Sequence, residues 1–540
     1  MPVKGAATQP SRRTAAISQA HARCRFQWFS GLSFIGRAVV ITGALFALFC
    51  AFFAEENWRG RRAWDTCRRE LEAKGVLLDW QKFVPSPVPD DQNFAMTPFL
   101  APLFDFNPKP RQPGQTVWRD TEGHDRAINF AAVVLPTDNK GQLPPARLDG
   151  RLTDLEAAVL LLRGQSNKPS AATPAFATRP QVATALLTAL GEYQPTIEEL
   201  RVASRRPYSR FNVEYDTEDP FSILLPHYLV LQRVTRVLEL RASAELALGQ
   251  PPAAFEDVEL MYYLSQSTSD EPFLISLQSR GSLVKRTEQI IWEGLAGRNW
   301  SESQLRQFQA WFAGFTVLKD LERGLQAERA GFGDAAFRYM RVNKNTLRNW
   351  MASDQAAGSL FYLLAGPRGW LYQEQVSYHR LYDQRIMTGF DADAGWLHPG
   401  IIEENRRALD RDLNRSPLWH HAGFSKLILP FLTKTFQRAA IVQNRANQTV
   451  MACALERCRL SKGKYPEKLD SLIPAFADKV LPDVCDGQPL KYRLLQDGYF
   501  LLYGVGWNEK DDDGLLVMNQ DGSDIDPNQG DWLWPAYPEK

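Results

Sequence analysis

The chain has almost no net charge: 63 Lys and Arg against 62 Asp and Glu leave +1 over 540 residues. That balance argues against nucleic acid or an acidic polymer as partner. Catalytic signatures are missing too. There is no Walker A sequence, no strand-linked G-x-G-x-x-G, no H-E-x-x-H and no G-x-S-x-G, so the familiar phosphate, zinc-protease and nucleophile-elbow chemistries have no anchor here. Cysteine is sparse, with six residues. Acid is absent from residues 1–37, which carry Lys4, Arg12, Arg13, Arg23, Arg25 and Arg37.

Directly after that basic tail comes a long uncharged run, Ala38–Ala54 (AVVITGALFALFCAFFA). Seventeen residues at 1.5 Å each make about 26 Å, enough to span a bilayer core. Trp28 and Trp58 flank it, as interface anchors do. No A-x-A site precedes Glu55, and Cys50 follows Phe49 rather than a small residue. The run therefore reads as an uncleaved anchor in the inner (cytoplasmic) membrane. Arg59, Arg61, Arg62, Arg68, Arg69 and Lys74 lie beyond the span but mix with Glu55, Glu56, Asp65, Glu70 and Glu72. The purely basic side, 1–37, is expected to be the cytoplasmic tail, and the bulk of the chain extracytoplasmic. Cys67, Cys453, Cys458 and Cys485 would then lie in an oxidising space. Cys453 and Cys458 are about 140° apart around a helix. The local disulfide candidate is Cys458 with Cys485, with buried free thiols as the alternative.

At this length two to four domains are expected. Residues 55–180 form an extracytoplasmic region: over 57–83 a charged helix ending near Gly75 and then a second short element, a linker at Pro85, Pro87 and Pro89, a loop from Asn107 to Gly123, and a low-complexity linker from Gly164 to Pro180. Asp154–Leu162 reads as strand or helix. Residues 181–430 form a helical body. Val230, Val234, Val237 and Leu238 share one helix face; Gly249 stops that helix and Pro251-Pro252 starts the next. Ser301 and Gln304 have capping-box spacing, ahead of a Leu305, Phe308, Phe312 stripe. The helix pairs are similar in style, loosely, to tetratricopeptide solenoids. Phe424, Leu427, Ile428, Phe431 and Leu432 make a further face, interrupted by Pro430.

Residues 431–540 form a small α+β module. Val450, Met451, Ala454, Leu455 and Cys458 stripe a helix that Gly463 ends in a left-handed C-cap. Strands at 490–495 and 499–505 alternate around Asp497-Gly498, which suits a two-residue type I′ turn. An acidic end comes next, rich in Asp from Asp511 to Asp531 and closing on Trp532-Leu533-Trp534. EF-hand spacing fails there: Gly514 as sixth residue leaves Glu509 first and Gln520 twelfth.

Gly463-Lys464-Tyr465-Pro466, Gly487-Gln488-Pro489-Leu490, the hairpin and the acidic end together make the last 110 residues or so resemble the C-terminal module of type II secretion major pseudopilins. That resemblance implies a calcium-binding loop with Asp511, Asp513, Asp521, Asp524 and Asp531 as ligands. The alternative is a solvated acidic loop. The likeness stops at the anchor, where a pseudopilin has a cleaved Gly-Phe and a Glu inside its apolar helix. Over its whole length, through Glu56-Asn57-Trp58-Arg59-Gly60 and Pro87–Phe94, the chain is similar to uncharacterised membrane proteins of the Planctomycetes–Verrucomicrobia group.

Other candidate sites are weak. Ser282-Leu283-Val284-Lys285 matches S-x-x-K without a K-T-G partner. His420 and His421 point apart on a helix, so joint metal ligation is poor. His227 reads as a satisfied buried histidine. Gly366-Pro367-Arg368-Gly369-Trp370 reads as a turn with an exposed cation. The expected function is a non-enzymatic envelope scaffold that binds other envelope proteins. A secretion or pilus accessory factor and an envelope hydrolase stand as alternatives.

Overall fold

The computed structural model describes residues 32–107, 117–137, 144, 146, 148–164, 178–216, 222–342, 366–415, 420–496, 498–519 and 525–535. Over these the chain is mainly helical with small antiparallel sheets. Helix α1 runs unbroken from Phe34 to Ala73. The apolar run and the charged segment after it are therefore one helix of 40 residues, not two elements. Ser33 caps its start by accepting from the Gly36 N–H.

Short elements come next: strands β1 (Phe106–Asn107) and β2 (Val117–Trp118), then α2 (Thr121–Ile128), α3 (Leu155–Leu162), α4 (Arg179–Leu190) and α5 (Gln194–Ala203). The Asn107–Gly123 loop is thus edged by a strand pair. Segment 155–162 resolves as helix, capped where the Asp154 carboxylate accepts from the Ala157 N–H at 2.9 Å. Most of the Gly164–Pro180 linker (165–177) lies outside the described residues.

The body is built on α6 (His227–Ala247), α7 (Pro251–Gln266) and α8 (Leu274–Ala296), which pack in succession. Gly249, at φ +70°, breaks the chain between the first two as expected. Helix α9 (Glu302–Ala313) carries the full reciprocal capping box of Ser301 and Gln304. Helices α10 (Val317–Glu328), α11 (Ala336–Val342), α12 (Gly369–Leu381) and α13 (Pro399–Leu413) come after it, with strands β3 (Phe390–Asp391) and β4 (Trp396–Leu397) before α13. Short π-helical stretches extend α10 at Arg329–Ala335 and α12 at Tyr382–Ile386.

Helix α14, Gly423–Lys462, is central. It includes Pro430, so the interruption expected there is absent. Pro430 lacks an N–H but keeps its carbonyl, which accepts from the Thr433 hydroxyl at 2.9 Å. The helix runs through 430/431 without a break and packs on α8, α9, α10, α12 and α13. Its buried amides tie body and C-terminal segment together. Gln443 accepts from the Val317 N–H at 2.8 Å, Asn447 donates to the Pro482 carbonyl at 2.9 Å, and Gln448 donates to the Trp532 carbonyl at 2.5 Å. Unmade, each such buried pairing would cost about 1–3 kcal/mol.

Gly463 ends α14 at φ +77°, as its position predicts. Strands β5 (Lys491–Leu494), β6 (Phe500–Gly504) and β7 (Trp532–Leu533) form an antiparallel sheet in that order. The hairpin is real but its turn is not the expected two-residue type. Leu494 pairs with Phe500, the Leu495 N–H donates to the Tyr499 carbonyl at 2.8 Å, and the Gly498 N–H donates to the Leu495 carbonyl at 3.1 Å. Three residues thus connect the strands, with Gly498 at φ +79°, the three-residue loop with a left-handed last position. Asp497 lies outside the described residues. Cys67, Cys453, Cys458 and Cys485 are buried and all free, so Cys458 and Cys485 match the free-thiol alternative. Burial pushes the thiols of Cys453, Cys458 and Cys485 up.

Candidate functional site

Three places concentrate chemistry. The first is the seam between α1 and α12. The α1 residues Glu56, Gly60, Trp64, Cys67 and Leu71 are buried, a spacing of fours and a three that marks one helix face. Gly60 meets Gly369 so closely that a Cβ on Gly60 would lie 2.1 Å from the Gly369 carbonyl oxygen. Glycine at both positions lets the backbones touch, which brings polar side chains into register. The Asn57 side chain accepts from the Gly369 N–H at 2.7 Å. Glu56 accepts from Trp370 Nε1 at 3.0 Å and from Gln373 at 3.1 Å, and pairs with Arg59 at 2.5 Å. Below them Trp64 stacks on the buried His379 ring at 5.3 Å. His379 Nδ1 accepts from Arg329 Nε at 3.0 Å, so its proton sits on Nε2. Burial pulls this histidine down, keeping it neutral at pH 7.

By contrast, an 18-residue window in the N-terminal half of α1 is wholly unburied by protein, with a mean hydropathy of 2.1. It is long and apolar enough to cross a membrane. Phe34, Ile35, Val39, Leu45, Phe46, Leu48 and Phe49 all stand exposed. Trp28 lies outside the described residues.

The second place is a cleft between α8 and α14. Leu277, Gly281, Ser282, Lys285, Val317, Arg438 and Val442 line a cavity of about 390 Å³. A neighbouring cavity of about 260 Å³ shares Lys285 and adds Glu288 and Arg445. Ser282 and Lys285 therefore face one cleft, although the Ser282 hydroxyl donates back to the Gln278 carbonyl at 3.3 Å. Glu288 is buried and pairs with the Thr449 hydroxyl at 3.3 Å. Burial pushes its carboxyl up to about 8, opposed by Arg445. Sequence reading passed over Glu288. The available signal was its position, four after Val284 and three before Ile291, an acid on an apolar stripe. Glu374 was missed for the same reason. It accepts from the Gly423 and Phe424 N–H groups, capping α14 across space, and burial pushes it up to about 7.

The third is the acidic end. Asp511 accepts from the Tyr503 hydroxyl at 3.0 Å and lies 3.8 Å from Lys491. Asp513 is exposed, 4.0 Å from Arg493. Asp531 is buried and accepts from the Gly514 N–H at 2.7 Å and the Asp512 N–H at 3.2 Å. Three of the five expected ligands therefore gather around the 511–514 turn, while Asp521 and Asp524 lie outside the described residues. Among the described residues no group of three or more His, Cys, Asp or Glu is arranged to hold a metal.

The remaining candidates are structural. His227 is buried, with Nε2 2.9 Å from Glu271, and its ring stacks on Phe211 at 4.3 Å. His421 packs against Trp370 at 5.9 Å, and the His420 carbonyl accepts from Ser377 at 2.9 Å. No family model matches this chain, and no curated protein or solved structure does either.

Proposed function

We propose that this protein is a single-pass envelope protein of the inner (cytoplasmic) membrane, with its basic tail inside and its helical body outside. The body acts as a non-enzymatic scaffold for other envelope proteins, built of helix pairs loosely like tetratricopeptide units. The C-terminal segment is a pseudopilin-like docking module that calcium stabilises. One observation carries the anchoring: α1 is divided between an apolar half with no protein cover and a half clamped to the body. A soluble protein rarely leaves that much contiguous apolar surface in water.

Alkaline carbonate extraction tests it. The full chain stays with the membrane, and a Leu45→Arg, Leu48→Arg variant washes out, because each arginine at a span centre costs about 2.5–3.5 kcal/mol. Release of the unaltered chain by carbonate overturns the reading. Protease digestion of the body from outside the intact inner membrane tests the orientation. An envelope hydrolase is the second reading, favoured by Ser282 and Lys285 sharing a cleft. Covalent labelling of Ser282 by a fluorophosphonate or a β-lactam tests that one.

A further inference from the structure

The Gly366–Trp370 turn lies at one particular level of α1, with Trp370 half-buried at the edge of the core and Arg368 exposed beside it. The uncharged run ends at Ala54. Trp370 straddles that end. Its ring meets Phe52 edge-on at 6.5 Å, while its Nε1 donates to Glu56 at 3.0 Å. Phe52 and Glu56 are four residues apart, about 6 Å along the helix axis. The indole thus has its apolar body beside the span and its polar tip beside the first charges, the habit of an interfacial tryptophan.

Trp58 is about 200° around α1 from Glu56, so it stands on the opposite side at nearly the same height. It is 59% exposed, with the Arg62 guanidinium 5.3 Å over its ring. Arg59, Arg61, Arg62 and Arg368 are exposed around this level. The Gly60–Gly369 contact fixes the height of the turn, since α1 has no hinge between span and body.

Resting on the anchored reading above, we infer that the N-terminal end of α12 is a second membrane contact. Trp370 sits in the headgroup layer beside the emerging span, and Arg368 meets the phosphates of anionic phospholipid. The body is then seated on the bilayer rather than held away from it. Juxtamembrane cations are attracted to an anionic lipid surface within about a Debye length of it.

The test uses the full chain in phosphatidylcholine vesicles with and without brominated acyl chains. Bromine-quenchable tryptophan emission falls in Trp370→Phe relative to the unaltered protein. In Trp311→Phe, which alters an α9 tryptophan stacked on Phe255 and Tyr262 of α7, total emission falls but the quenchable amplitude holds. An unchanged quenchable amplitude in Trp370→Phe, with the protein still vesicle-bound after carbonate, overturns the seating and leaves the anchor standing. Loss from the vesicles in carbonate overturns both. Arg368→Gln alters an exposed side chain and preserves the fold. Its melting temperature rises less than that of the unaltered protein when phosphatidylglycerol replaces part of the phosphatidylcholine. Equal rises overturn the lipid-phosphate contact.

Discussion

Gly60→Leu is the substitution that speaks most directly to the clamp between anchor and body. A Cβ at this position lies 2.1 Å from the Gly369 carbonyl oxygen, and the reciprocal Cβ on Gly369 lies 1.9 Å from the Glu56 carbonyl oxygen. Neither contact is relieved by rotating a side chain, because both partners are backbone. The helices must separate by more than 1 Å, a movement that stretches the Asn57–Gly369 and Glu56–Trp370 hydrogen bonds at 2.7 and 3.0 Å beyond useful length. Overpacking costs about 1–3 kcal/mol and a lost hydrogen bond to a charged group about 1.5–3 kcal/mol. These terms overlap, so the local loss is about 3 kcal/mol. At 1.4 kcal/mol per decade, amide exchange across α12 accelerates roughly hundredfold. Hydrogen-exchange mass spectrometry of the detergent-solubilised full chain reads it. Gly43→Leu is the control, since a Cβ there meets nothing within 4 Å. Unchanged α12 protection in Gly60→Leu, or equal loss in Gly43→Leu, would refute the clamp.

Glu288→Gln removes a buried carboxyl whose folded value, about 8, stands above its ordinary 4.5. The folded state therefore holds the proton that the unfolded state releases, and stability falls as pH rises from about 5 to 8. Thermal melts of the variant show little change at pH 5 and a higher midpoint than the unaltered protein at pH 8; parallel curves at both would contradict the assignment. Ser301→Ala breaks the reciprocal cap of α9 and lowers unfolding free energy by about 1 kcal/mol in denaturant titration. Calcium at 100 times its dissociation constant adds about 2.7 kcal/mol to a protein that binds it only when folded. The full chain melts higher in calcium than in chelator, and an Asp511→Asn, Asp513→Asn variant loses that difference. No calcium effect on the unaltered chain removes the metal from the account.

Local signals in this sequence were sound wherever a short-range mechanism sets the structure. Gly249 before Pro251-Pro252, the Ser301–Gln304 box and the left-handed Gly463 all depend on neighbours within a turn of helix, and each stands where its chemistry put it. The misses involve distant partners. Continuity of α1 through its charged half rests on packing against α12, some 300 residues later, which no local charge pattern reveals. Pro430 reads as a breaker, yet lies within the first turns of a helix held by packing on five others. Aspartate with glycine suggested the tightest turn, whereas the register of β5 against β6 leaves three residues to connect them. Glu288 had only its place on an apolar stripe to mark it, and the partners of Glu288 and Glu374 lie on α14, far along the chain.

Cys50 gives the most direct measurement of the anchor itself. It lies in the uncharged half of α1, exposed on the protein surface, whereas Cys67, Cys453, Cys458 and Cys485 are buried. In a Cys24→Ser background, intact membranes are treated with a charged, impermeant maleimide. A thiol surrounded by hydrocarbon is out of reach of a charged reagent that stays in water. An anchored α1 predicts no labelling of Cys50 until the membranes are dissolved in SDS, when it proceeds to completion. Rapid labelling of Cys50 in intact membranes would place this half of α1 in water and contradict the anchor.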